Sequence, residues 1–206
     1  MLVLPTLLGL LAAFPQVPDS PDWTPLDAPP SQVPYGVEHW GVRAGLPQIQ
    51  VNALAVDEAG LMYVGTHAGL ATFDGARFES LGELDGKDLR TIRILALRYD
   101  ERGQLWVGTQ ENGVAILAKE GSRWVDFPAE VGAVEGVREI ALGPEDQVWV
   151  GCDQGAFAFS AAGEPVASHP LGWVHDIDFH PDQSVLLAFV DALLSSSPEP
   201  TVPDSR

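Results

Sequence analysis

The chain has 206 residues, 46% of them hydrophobic and 19% charged, a balance that lets a domain of ordinary size bury a core. Its 29 acidic and 11 basic side chains leave a formal net charge of -18, which repels nucleic-acid phosphates and anionic lipid and makes both poor partners. The single cysteine, Cys152, excludes an internal disulfide framework, and no Cys/His set has zinc-ligand spacing.

The chain opens with an uncharged, Leu-rich run, Met1 to Phe14. Fourteen apolar residues fall short of the roughly 20 a membrane helix needs, so no stable membrane span is expected. They suit the apolar region of a secretory signal, although no Lys or Arg precedes them and Pro5 interrupts them. Residues 1–17 are therefore read as an apolar, helix-like export segment, and the protein as extracytoplasmic, periplasmic or secreted. Residues 18–35 carry Pro18, Pro21, Pro25, Pro29, Pro30 and Pro34, a density that removes backbone donors and reads as a linker. At the other end, residues 191–206 run into a Pro/Ser-rich stretch expected to be disordered.

Between them the sequence repeats. Leu61 to Thr66, Gln104 to Thr109 and Gln147 to Cys152 superimpose, with glycines at 65, 108 and 151, a period of 43. Five residues before each glycine stands a turn residue (Gly60, Gly103, Asp146). Fourteen before stands the head of an apolar run (Val51, Ile94, Val137). Downstream, Gly69, Gly113 and Gly155 each precede another apolar run. A fourth copy from Val174 matches Val137 to Gly151 at an offset of 37, but has Leu186 for the aromatic and Ala188 for the glycine. Short β-branched and aromatic runs punctuated by Gly/Asp turns are strands, and a period of about 40–50 residues with four strands is a propeller blade. The fold expected is all-β: an incomplete β-propeller of three four-stranded blades (36–82, 88–128, 134–168) plus half a blade (172–190). The glycine following the Tyr/Trp-Val pair lets neighbouring sheets approach closely.

The stretch from Gly45-Leu46-Pro47 through Asp57, Gly60, Tyr63-Val64-Gly65-Thr66, Gly69-Leu70 and Phe73-Asp74-Gly75 to Phe78 resembles the two-component regulator propeller repeat. The second copy keeps Asp100, Gly103, Trp106-Val107-Gly108-Thr109 and Gly113; the third keeps Trp149-Val150-Gly151 with Cys152 in the Thr position. The resemblance implies an extracytoplasmic sensor module of the kind found in hybrid histidine kinases, recognising glycans or other nutrients. Within these 206 residues no kinase, receiver or β-sandwich segment of that plan is expected.

Propeller ligands usually meet the face bearing the turns between second and third strands. Candidate ligand-binding residues are therefore His67, Gln110, Glu111, Asp153 and Gln154 in those turns, with Trp40 as a ring platform at the entry to the first blade. The plainer explanation for each is that turns are polar because they meet water. Strict alternation from Val174 places Asp176, Asp178 and His180 on one strand face and His175, Ile177 and Phe179 on the other. Two carboxylates and an imidazole suit a divalent cation, but the segment aligns with an ordinary first strand, and no metal or other cofactor is expected. Arg90, Arg93 and Arg98 read as a solvated strand edge. No nucleophile elbow, phosphate loop or His-Glu-x-x-His motif is present, so no catalytic residue is assigned. The function expected is a non-catalytic sensor or ligand-binding module; a propeller-type lyase or hydrolase, a protein-interaction scaffold, and a fragment without independent activity are the alternatives. The partners expected are a glycan or small nutrient, or a protein that completes the ring. A homodimer of two such arcs would supply about seven blades.

Overall fold

A computed structural model describes residues 38–170, 172–189 and 193–196. The segments expected to be an export signal (1–17) and a linker (18–35), and the expected tail beyond Ser196, lie outside the described residues.

Four antiparallel sheets follow one another along the chain, each a meander. The first comprises β1 (Val51–Val56), β2 (Met62–Thr66), β3 (Gly69–Phe73) and β4 (Phe78–Ser80). A small hairpin, β5 (Glu83–Leu84) and β6 (Lys87–Asp88), sits in the link to the second sheet: β7 (Ile94–Tyr99), β8 (Leu105–Thr109), β9 (Val114–Ala118) and β10 (Gly121–Trp124). The third contains β11 (Glu139–Leu142), β12 (Val148–Cys152), β13 (Gly155–Phe159) and β14 (Pro165–His169). The fourth has β15 (Val174–Phe179), β16 (Val185–Phe189) and β17 (Leu193–Ser196). This is the incomplete propeller expected from the repeats.

Two boundaries differ. Residues 36–50 hold no strand among those described, only a 3-10 turn over Val42–Ala44, so the first sheet begins at Val51. The fourth sheet has three strands rather than two. Leu193 and Leu194 pair with Ala188 and Leu187, which draws the start of the expected disordered tail into a ladder. The apolar Leu193-Leu194 pair, set before a serine run, was the local signal for a strand there.

The repeat dictates recurring local structure. Gly60, Gly103, Asp146 and Gln183 stand at one turn position and all adopt left-handed backbone, with φ of +87°, +73°, +57° and +70°. In the first two copies an aspartate stabilises that turn. Asp57 Oδ1 accepts from the N–H groups of Ala59 and Leu61, and Asp100 Oδ1 from those of Arg102 and Gln104. At the other end of the hairpin, Thr66 Oγ1 donates to Gly69 O (3.0 Å) and Thr109 Oγ1 to Gly113 O (2.8 Å). Cys152 repeats the contact with its thiol, at 3.3 Å to Gly155 O, and burial pushes that thiol's pKa up.

Between sheets lie the cores. Leu70 from the first sheet meets Ile94, Leu105 and Val107 from the second. Trp106 and Ile116 meet Val137, Ile140, Phe157 and Phe159 across the second junction. Trp149 and Ala156 meet Val174, Ile177 and Leu187 across the third. The strand-two glycines make these contacts fit. A Cβ on Gly65 would lie 2.6 Å from Ile94 Cγ2, and one on Gly108 would lie 2.6 Å from Val137 Cγ1 and 2.8 Å from its carbonyl oxygen.

Candidate functional site

The first strands are not simple alternating strands. A β-bulge follows Val51, Ile94 and Val174, because Val51 pairs with Thr66 while Ala53 pairs with Gly65, and likewise in β7 and β15. In the third sheet Arg138 N donates to Gly151 O and Glu139 pairs with the same glycine, which places Arg138 at the corresponding step. The extra residues are thus Asn52, Leu95, Arg138 and His175, each thirteen before the strand-two position 65, 108, 151 or 188. A bulge inserts a residue outside the regular pleat and re-aims its side chain. It also overturns the alternation expected after Val174: Val174 and Ile177 are both buried, and His175 is exposed rather than sharing the face of Ile177.

The turns between second and third strands lie beside these bulges and are tied to the links. Gln110 N donates to Arg93 O, Asp153 N to Glu135 O, and Gly136 N to Gln110 O. Where the third sheet meets the fourth, four side chains converge. Arg138 forms an ion pair with Asp153, donates to Gly136 O at 2.9 Å, and holds its guanidinium carbon 4.9 Å from the centre of the Trp173 ring. Trp173 in turn lies 4.4 Å from the His175 ring, tilted 33°. Gln154 Oε1 accepts from Glu135 N at 3.1 Å. Arg138 and Asp153 are each about one-third exposed and Trp173 is exposed, so the cluster is ordered by its neighbours yet open to solvent.

Of the residues expected at the site, Asp153 belongs to this cluster, and Gln154 follows it in the same turn, bonded to the Glu135 N–H. Gln110 and Glu111 stand in the equivalent turn of the second sheet, where Lys87 Nζ donates to Asn112 Oδ1 at 3.2 Å and sits 4.0 Å over the Trp124 ring. His67 occupies the turn of the first sheet. Trp40 is elsewhere: its ring meets Phe73 edge-on at 4.9 Å, and Phe73 pairs with Met62, at the end of the ladder opposite the His67 turn. Arg138, Trp173 and His175 were missed. The periodic signal for Arg138 and His175 was their shared position thirteen before the strand-two glycine or its replacement, but without the bulge nothing marks that position as exposed.

Below the cluster the inner strands carry charge. The carboxyl of Glu139 on β11 is raised above its ordinary pKa by burial first and then by Asp176 of β15, against the opposing pull of Arg98 of β7. Asp176, Asp178 and His180 do not converge on a cation. Asp176 and Asp178 each accept from the next backbone N–H, and His180 Nδ1 lies 3.1 Å from Asp182. Asp182 accepts from the Ser184 hydroxyl and N–H, which with His180 lower its pKa to about 2.

A larger cavity, about 640 Å³, opens between the first two sheets at the end bearing the Asp57 and Asp100 turns. Its buried chemistry is already committed. The Oδ1 atoms of Asp57 and Asp100 hold their turns, Asp100 Oδ2 accepts from Trp106 Nε1 at 3.0 Å, and the Tyr99 hydroxyl is kept protonated by burial and by Tyr63. The Arg138 cluster, whose groups face solvent, is therefore the better candidate for recognition. Among the described residues no helix is long and apolar enough to cross a membrane.

No protein-family model matches the chain, and no curated protein does. Solved structures are similar. Virginiamycin B lyase from Staphylococcus aureus superimposes with a TM-score of 0.54 at 12% identity, over 73% of this chain and 56% of the lyase. A streptogramin B lyase gives 0.53 at 15% identity, over 75% and 57%. The extracellular domain of a protein described as a one-component system from B. thetaiotaomicron gives 0.56 at 22% identity, over 72% of this chain and 20% of that one. The chain thus spans little more than half of the lyases and a fifth of the extracellular domain. At these identities the likeness concerns architecture, shared by enzymes and sensors alike. By fold, the chain is a set of β-propeller blades.

Proposed function

We propose that the chain is a non-catalytic, extracytoplasmic sensor module of the two-component type, and that it binds a hydroxyl-rich nutrient such as a glycan. The observation that supports this reading is the convergence of Arg138, Asp153, Trp173 and His175 at the third and fourth sheets. An exposed indole, a fork of guanidinium donors, a carboxylate and an imidazole offer an apolar ring surface beside both donors and acceptors. A sugar, with ring C–H faces and hydroxyls of both kinds, matches that set. A net charge of -18 disfavours a polyanion. The apolar segment at 1–17 and the repeat's resemblance to sensor propellers support the location and the signalling role.

Tryptophan fluorescence and calorimetry against a panel of neutral oligosaccharides test this reading. Trp173→Ala is expected to weaken binding at least tenfold while leaving the melting temperature near that of the wild type, since the ring is exposed. Turnover of a panel sugar, or binding indifferent to Trp173→Ala and Asp153→Asn, would overturn it.

A further inference from the structure

β1, the first strand of the first sheet, carries an exposed apolar face. At each internal junction, the first strand of the following sheet drives one or two apolar side chains against the glycine of the preceding one. Ile94 and Leu97 meet Gly65, Val137 meets Gly108, and Val174 and Ile177 meet Gly151. Ile94, Val137 and Val174 are fully buried, and Ile177 is 5% exposed. Their counterparts in the first sheet are Val51 and Leu54, with Val56 following; these are 42%, 58% and 56% exposed. The link residue that precedes them is already seated. Leu46 is buried with Val64 and Phe73, at the repeat position Leu89 holds where it packs with Val107. The face therefore has the side chains, register and link of an internal junction, and among the described residues no glycine-bearing strand covers it as one covers each of the others.

The opposite end of the arc is built differently. The fourth sheet has Ala188 where the others have glycine, and Leu186 where they have an aromatic. A Cβ at that position reaches 2.6 Å from the incoming Ile or Val at two junctions, where something must shift, and 3.1 Å at the third, where the neighbour must give by a few tenths of an ångström. Leu193, the cross-strand partner of Ala188, is 70% exposed on this end.

We infer that the Val51–Leu54–Val56 face docks a further propeller blade, one whose second strand carries a glycine opposite Val51 and Leu54, and that Ala188 prevents the fourth sheet of a second copy from being that blade. The glycine is the recognition element. It admits the two apolar side chains, whereas a methyl group there holds the sheets apart and forfeits close contact over the whole junction. The arc is thus polar, with one receptive end and one blocked end, and does not add copies of itself head to tail. This inference does not depend on the ligand reading.

A surrogate partner made from the full chain tests it. Ala188→Gly gives the fourth sheet the missing glycine, and Leu54→Asp in the same chain disables its own receptive face. Mixed with wild type, this double variant is expected to double the sedimenting mass, whereas wild type alone stays single. Mixed with a chain carrying only Leu54→Asp, it should associate at least tenfold more weakly. A second probe, with Leu186→Trp added to restore the third sheet's pattern, serves if the first does not retain the wild-type far-UV spectrum. A folded probe that fails to bind wild type overturns the proposal. So does binding that survives Leu54→Asp in the wild-type partner, or wild type dimerising with itself as strongly as with the probe.

Discussion

The junction between the second and third sheets and the leading face of the first are made from the same positions of one repeat, yet they hold opposite surroundings. In the junction, Val137 and Ile140, the counterparts of Val51 and Leu54, are buried in one cluster with Trp106, which donates to Asp100 and lies 6.2 Å from Phe159, while Phe127 meets Phe157 and Phe159 edge-on. On the leading face, Leu54 and Val56 lie largely in water. A side chain's contribution here is set by the neighbouring sheet as much as by its own, because a propeller blade buries its faces only against other blades. Identical sequence positions therefore carry very different energies.

The largest consequence is expected at Trp106. Trp106→Ala should cost about 3–5 kcal/mol, as large-to-small changes in a well-packed core do, and it also leaves Asp100 Oδ2 without its indole donor. Thermal or urea unfolding followed by circular dichroism reads the loss. Tyr63 holds the same position in the first sheet but is only partly buried. Tyr63→Ala should cost clearly less; equal losses would mean that the two sheets are equally supported and would break the comparison.

The sequence carried the architecture because the repeat is written in residues whose backbone roles are unusually restrictive. Gly65, Gly108 and Gly151 are legible since only glycine leaves room for the next sheet, and Gly60 and Gly103 since the turn needs left-handed backbone. The Asp57 and Asp100 turns follow from the ability of a short carboxylate to accept from nearby backbone N–H groups. What escaped notice has no such local mark. The β5–β6 hairpin is two residues per strand, too short for any periodic pattern to show. The site was half visible: Asp153 and Gln154 are turn residues by position, but the bulge that exposes Arg138 and His175 arises from pairing register, which depends on the partner strand. Trp40 stands apart from the turn residues it was grouped with because the chain before Val51 lays its indole edge-on against Phe73, a tertiary contact that repeat position does not announce.

A middle-sized effect separates the two regions more finely. Gly108→Ala places a methyl group 2.6 Å from Val137 Cγ1 and 2.8 Å from a backbone oxygen that cannot swing away, and should cost about 1–3 kcal/mol. Leu54→Ala, on the face where no sheet presses, should fall within about 0.5 kcal/mol of wild type. Measured by the same unfolding midpoints, a Leu54→Ala loss as large as that of Gly108→Ala would show that the leading face is already covered in solution.

The smallest effect expected is electrostatic and distinguishes the later inner strands from the earlier ones. The position held by Glu139 in the third sheet and Asp176 in the fourth is Ala53 in the first and Ala96 in the second. Burial and the charge of Asp176 raise the Glu139 pKa above the ordinary 4.5, so the folded chain holds that proton more tightly than the unfolded chain does. Below 4.5 the carboxyl is protonated in both states and costs nothing. As pH rises through the unfolded and then the raised folded value, stability falls, and the loss is complete once both states are ionised. Glu139→Gln should therefore raise the melting temperature slightly at pH 7, and the gain should shrink to nothing as pH is lowered past the ordinary carboxylate range. Asp176→Asn should produce a smaller gain of the same sign, because it removes only the second cause and leaves the burial. A gain from Glu139→Gln that persists unchanged at pH 4 would assign the effect to packing and remove the inner strands' charge from the comparison.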